Sequence, residues 1–240
     1  MRKCYLSLMM FCAFQAAAQS TYKSSQKSWE AGLMLGLCNY SGDLSEKTIT
    51  LSETHLSLGA NLRYSFSDHF SLRAHLFSAS ISGDDAHAKD PQTKQRSFRF
   101  GSDILEVGLG GEWYFLGKSR TSDIGVPRFF VAPYVYAGIG GTFCGAEVEY
   151  YGPPKDRDLF FVVPMPEVEP RQRFLIAPVG AGCRIELNDR LAIGGEAGVR
   201  PVFSDKLDGV RFNGNPDKND WYFICGATLS YILSKPEKQL

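Results

Sequence analysis

The chain has 240 residues with 26 Lys+Arg against 26 Asp+Glu, a balance that leaves no basic excess for nucleic acid. Twenty-four glycines and an aromatic content of 13% favour β-structure with close backbone contacts. Beyond the first twenty residues no run approaches the ~20 consecutive apolar residues of a membrane-spanning helix.

In chain order, Arg2 and Lys3 precede an apolar stretch from Cys4 to about Phe14, and Ala16, Ala17 and Ala18 follow. This is the layout of an export signal with an A-x-A cleavage site, so residues 1–18 are expected to be a signal peptide and residues 19–240 a single domain. Export places Cys38, Cys144, Cys183 and Cys225 in an oxidising compartment, where they are candidate disulfide partners in any of three pairings. The sequence holds no C-x-x-C, which argues against a zinc knuckle or a redox dithiol.

The rest of the chain reads as about eight segments of alternating polarity separated by turn chemistry, the signature of a membrane β-barrel. The expected strands run from Trp29 to Tyr40, Leu56 to Phe66, Phe70 to Ile81, Ile104 to Phe115, Phe129 to Phe143, Phe174 to Leu187, Leu191 to Phe203 and Trp221 to Leu233. The second alternates most cleanly, with Leu56, Leu58, Ala60, Leu62, Tyr64 and Phe66 against Ser57, Gly59, Asn61, Arg63 and Ser65. Tight turns follow Phe66 and Leu187, while Ser41 to His55, Ser82 to Arg99, Cys144 to Arg173 and Ser204 to Asp220 are long. Alternation of long and short connections matches a barrel with short periplasmic turns and long outer loops. The connection from Leu116 to Arg128 is longer than a periplasmic turn requires.

Glu30, Arg63, Arg73, Glu106, Glu112, Arg184, Glu186, Glu196 and Arg200 all fall on the face opposite the oily one. Arg or Lys facing hydrocarbon at mid-bilayer costs about 2 to 4 kcal/mol, so these nine side chains are expected to line the lumen and to pair there, since an unpaired buried charge is far more costly than a paired one. His75, near Arg73, is the most interesting titratable group if the lumen conducts. Trp29, Trp113, Phe115, Trp221, Phe223 and Tyr231 sit near strand ends on the oily face, as aromatic girdles would. The rival fold is a soluble lipocalin-like barrel, which would turn the oily face inward and the charges to water.

Motifs of catalysis are missing: there is no G-x-S-x-G, H-E-x-x-H or P-loop. The glycine clusters at 108–111 and 138–141 do not complete G-x-G-x-x-G and read as room for bulky neighbours inside the barrel. No catalytic residue, cofactor site or metal site is expected. His55, His69 and His87 fall in connections without a paired Ser or Asp arrangement.

Three stretches, Ala31 to Leu44 (AGLMLGLCNYSGDL), Glu112 to Leu116 (EWYFL), and Leu207 to Leu233 with LDGV, GNP, DWYF and LSYIL, together resemble the PorG-type outer-membrane β-barrel family associated with type IX secretion in the Bacteroidota. The resemblance implies a small barrel in the cell outer membrane, in contact with its lipids, that docks a periplasmic ring lipoprotein and its partner. A departure from the family is the polar tail Ser234 to Leu240, where such barrels often end on an aromatic residue. The other class to weigh is a stand-alone barrel acting as porin, receptor or lipid-modifying enzyme.

Overall fold

The computed structural model describes residues 27–42, 51–88, 90–118, 131–156, 162, 171–188, 190–204, 207 and 220–233. The expected signal peptide, the start of the fifth strand at Phe129, most of the Leu116 to Arg128 connection, the GNP motif and the tail after Leu233 lie outside these residues.

Strands β1 (Ser28–Ser41), β2 (Thr54–Ser65), β3 (Phe70–Asp84), β4 (Phe98–Tyr114), β5 (Val131–Tyr150), β6 (Gln172–Ile176), β7 (Val179–Glu186), β8 (Leu191–Pro201) and β9 (Trp221–Ile232) follow in that order. All pairings are antiparallel, and β9 returns to β1 to close the ring. Strands β6 and β7 occupy one position in the wall. Gly140 faces Ile176 and Ala137 faces Val179 in a single continuous register, interrupted only at Ala177 and Pro178, where proline has no N–H to donate to a ladder. The ring therefore has eight strand positions, as the alternation predicts.

The two ends differ. At one, Ser67 Oγ accepts from the backbone N–H groups of His69 and Phe70 at 3.2 and 2.9 Å, and Asn188 Oδ1 accepts from those of Arg190 and Leu191 at 2.9 Å each. Such side-chain turns replace ladder bonds over two or three residues, so these hairpins are tight. Among the described residues the other end carries 3₁₀ turns at Leu51–Glu53, Asp85–His87 and Pro154–Asp156 and a short helix, α1 (Pro91–Arg96). Asp90 caps that helix by accepting from Thr93 N–H at 2.8 Å, and Ser97 leaves it in the left-handed region at φ 58°. By the usual asymmetry of outer-membrane barrels the short-turn end is periplasmic.

The oily side chains point outward. Leu33, Leu35, Leu58, Leu72, Leu109 and Ile139 are all exposed, while Arg63, Glu112 and Glu196 are buried. A soluble lipocalin-like barrel would show the reverse, so that rival is overturned. A closed ring leaves no unpaired sheet edge, and an apolar belt on its outer face is what hydrocarbon demands. Aromatic side chains gather on the belt at the short-turn end: the rings of Trp29 and Tyr64 lie 4.8 Å apart, and those of Trp113 and Phe115 lie 6.1 Å apart. The protein is an outer-membrane β-barrel.

Strands β3, β4 and β5 run further than their alternation predicts: β3 ends at Asp84 rather than Ile81, β4 starts at Phe98 rather than Ile104, and β5 ends at Tyr150 rather than Phe143. The reason is a reversal of polarity. Below Leu76, Leu105 and Phe143 the outward residues are apolar. Beyond them the outward residues are Ser78, Ser80, Arg99, Asp103, Glu147 and Glu149, while Phe77, Ile81, Phe98, Phe100, Ile104 and Ala146 turn inward and are buried. Leu105 pairs with Phe143 and with Ser78, so the reversal runs across the wall as one line. Past that line the outer face meets water, and the interior packs as in a soluble protein.

The four cysteines are free thiols, which corrects the expectation of disulfides. Cys38 and Cys144 point inward and are buried, but β1 and β5 lie on opposite sides of the ring. Cys183 and Cys225 face outward with β8 between them, about two strand spacings of ~4.8 Å apart, beyond the ~7 Å Cα separation that a disulfide tolerates.

Candidate functional site

All nine charged residues expected in the lumen are there, and the strands bring them together in two groups. In the periplasmic half Arg63 is the hub. Its Nη1 donates to Glu30 Oε1 at 2.8 Å and its Nε to Glu112 Oε1 at 2.8 Å. Arg73 grips Glu196 with both terminal nitrogens at 2.7 Å, a bidentate geometry that is among the strongest ion-pair arrangements. Arg184 bridges Glu30 at 2.6 Å and the half-buried Glu186 at 2.5 Å. The hydroxyls of Tyr114 and Tyr134 donate to Glu112 and Glu196 at 2.8 and 2.9 Å.

Glu106 anchors the second group, nearer the middle of the barrel. It meets His75 Nε2 at 2.8 Å, the Tyr222 hydroxyl at 2.7 Å and Arg200 Nε at 3.5 Å. Arg200 also lies 5.4 Å from the Phe77 ring centroid, where the charged layer gives way to the apolar one. His75 is thus a partner of a buried carboxylate. Glycine makes the space for these large groups: a Cβ on Gly182 would lie 2.6 Å from the Tyr134 hydroxyl, and one on Gly108 would lie 2.6 Å from the His75 ring. Gly111, by contrast, has open space where its Cβ would be, so not every glycine of the 108–111 cluster serves the interior, and a Cβ on Gly138 or Gly140 would meet the backbone oxygens of Leu109 and Val107 rather than a bulky side chain.

Above the second group the lumen is apolar. Tyr40, Phe77, Ile81, Phe98, Phe100 and Ile224 are buried in one cluster, with the Tyr40 and Phe100 rings 4.8 Å apart, edge to face. At the other mouth Lys118, in the turn after β4, donates to Ser65 Oγ at 2.6 Å and also to Ser71 Oγ, and its Nζ sits 4.2 Å from the Tyr114 ring centroid. Burial pushes this ammonium down to about 8.

A second site lies on the wall of β3, β4 and β5 beyond the polarity reversal, where a cleft of about 910 Å³ opens at the long-loop end. Ser80, Ser82, Asp103, Glu147 and Glu149 come from β3, β4 and β5, His55 from the start of β2, and Glu53 and His87 from the turns. His87 Nδ1 lies 2.8 Å from Glu53 Oε1 and His55 Nε2 lies 2.7 Å from Ser82 Oγ. Arg99 is held by Asp84 at 2.8 Å. Burial pushes the Glu53 carboxyl up, against the pull of the His87 imidazole.

The sequence matches the family described as a domain of unknown function, DUF6089, over residues 3–237. The chain belongs to the DUF6089 family. No curated protein matches it. Among solved structures the DUF6089 chain is similar to Neisserial surface protein A (11% identity, TM-score 0.46, covering 85% of this chain and 96% of that one). It is also similar to Ail of Yersinia pestis (11%, 0.45, 85% and 99%) and to the N-terminal β-barrel domain of Pseudomonas aeruginosa OprF (13%, 0.42, 87% and 99%).

The DUF6089 barrel also holds features that sequence reasoning missed. Lys118 lies outside every expected strand. His55 and His87 have partners after all, but Glu53 is 34 residues before His87, a separation that carries no local signal. The alternations Arg99-x-Gly101-x-Asp103 and Gly145-x-Glu147-x-Glu149 were legible as strand continuations with the opposite phase. Among the described residues no three His, Cys, Asp or Glu side chains converge on a metal position.

Proposed function

We propose that this barrel is a non-enzymatic component of the type IX protein secretion machinery that anchors its periplasmic ring to the outer membrane. The observation that carries the reading is the filled lumen: Arg63 and Arg200 are 2% and 1% exposed, locked among carboxylates, with an apolar cluster stacked above them. An eight-stranded ring has an interior just wide enough for side chains, and this one spends that space on structure. Its work then falls to the mouths and the outer wall. The stretches that resemble PorG-type barrels support the choice of machinery, and the short-turn end supplies the surface facing the periplasm.

The test is deletion in the native host together with capture of the tagged barrel from detergent-solubilised outer membranes. Loss of type IX cargo from the medium and recovery of a periplasmic ring lipoprotein are the expected results. Intact secretion with no ring protein captured overturns the proposal. Stable ion conductance of the purified barrel in planar bilayers would instead favour a stand-alone porin.

A further inference from the structure

The line of polarity reversal meets β6 at an arginine. Leu105 pairs with Phe143 on one side of β5, and Arg173 pairs with Phe143 on the other, so Arg173 stands in the row where the apolar belt ends. Gln172 pairs with the inward, buried Cys144, which leaves Arg173 facing outward. The period of two along an extended chain puts Arg171 on the same face, about 7 Å further toward the loops. Both arginines are exposed. Just inside the belt Leu175 and Phe203 are exposed neighbours, the Phe203 N–H donating to the Leu175 carbonyl at 3.0 Å. The Arg173 guanidinium lies 5.7 Å from the Phe143 ring centroid, a cation–π contact with the last ring of the belt. The ion pairs among the described residues involve neither Arg171 nor Arg173. Arg99, by contrast, is neutralised by Asp84 at 2.8 Å. A cation on the outward face at the edge of the hydrocarbon takes its counter-charge from the headgroup layer that touches it.

We propose that Arg171 and Arg173 bind the phosphate of an outer-leaflet lipid whose acyl chains lie over Leu175 and Phe203. A guanidinium presents paired N–H donors that match phosphate oxygens, and two of them two residues apart on one strand face close on a single phosphate. The neighbouring wall repels the same headgroup: beyond the reversal β4 and β5 present the exposed carboxylates of Asp103, Glu147 and Glu149. Charge therefore confines the lipid to the β6 sector instead of spreading it round the ring. The site faces the outer leaflet, at the end away from the periplasm, and stands whether or not the barrel anchors a ring.

Native mass spectrometry of the purified barrel released from detergent micelles, with dioleoylphosphatidic acid as probe, tests the proposal. A saturable 1:1 adduct is expected, with none from dioleoylglycerol, which has the same chains and no phosphate. Arg173→Gln should weaken binding about fivefold, the usual scale for one basic residue at a charged membrane surface, and Arg171→Gln/Arg173→Gln at least tenfold. Lys155→Gln, which removes an exposed cation elsewhere at the loop end, should leave it unchanged. Heat-modifiable gel mobility verifies that each variant is folded. Any of four outcomes overturns the proposal: no saturable adduct or equal adducts with the two lipids, parent affinity in the folded double variant, an equal loss in Lys155→Gln, or displacement of the lipid by equimolar inorganic phosphate, which would make this a site for the free ion.

Discussion

The two halves of the lumen solve one packing problem in opposite ways. Toward the periplasm the inward residues are Arg, Glu and Tyr, and the interior coheres through charge-assisted hydrogen bonds centred on Arg63. Toward the long loops they are Phe, Ile, Ala and Cys, and it coheres through close packing around Phe100. The difference follows from what lies outside the wall. Where hydrocarbon covers the outer face, apolar residues are needed there, and polar side chains placed inside must satisfy one another. Past the reversal line water solvates the outer face, and the hydrophobic effect draws apolar residues inward.

Matched truncations break this symmetry most strongly. Arg63→Leu leaves Glu112 with only the Tyr114 hydroxyl and Arg73 at 3.4 Å and takes one of the two guanidinium partners of Glu30, and breaking a buried pair from one side costs about 3–5 kcal/mol. Phe100→Ala opens a cavity in the apolar half, with an expected cost of about 3 kcal/mol. Chemical denaturation in detergent micelles reads both. The two are distinguished by a second change: Glu112→Gln should recover part of the Arg63→Leu loss, because the stranded charge is removed, and should leave the Phe100→Ala loss unaltered. Equal additivity in both backgrounds would mean that the lattice does not hold its carboxylates as the distances imply.

The reversal line itself predicts a smaller contrast along one strand. Ile139, in the middle of the belt, and Glu147, eight residues on, both face outward from β5. Ile139→Arg should cost about 2–4 kcal/mol because it meets hydrocarbon, whereas Glu147→Arg should stay within about 0.5 kcal/mol, as exposed substitutions usually do. Similar costs at both positions in lipid vesicles would remove the line.

That line also explains what the sequence made legible. The eight strand positions, the inward orientation of the nine charges and the long-short order of loops follow from alternation, because a membrane enforces it residue by residue. The strand over Phe98 to Asp103 alternates legibly but in the phase opposite to Leu105 to Trp113, so a rule equating oily with outward misses it, because that rule stops where the membrane stops. The disulfide expectation failed for a related reason: composition and compartment say nothing about which face a thiol occupies, and the alternation that separates Cys38 from Cys225 was already in the sequence. The Glu53 to His87 contact depends on how two distant turns meet, which no local pattern encodes.

The smallest effect belongs to Lys118, partly exposed at the periplasmic mouth of the charged half. Burial holds its ammonium at about 8, below the ordinary 10.5. Between those values the unfolded chain binds more protons than the folded one, so this residue makes stability rise with pH across that window. Its cost to the folded state is fully present below pH 8, where the ammonium stays charged inside the mouth. Lys118→Met removes the titration, so the variant should gain relative to the parent at pH 7 and lose that advantage by pH 10, with urea midpoints at several pH values as the readout. Parallel curves for parent and variant would place the ammonium in water, outside the mouth, and the Ser65 and Ser71 contacts would then be incidental to the barrel's closure.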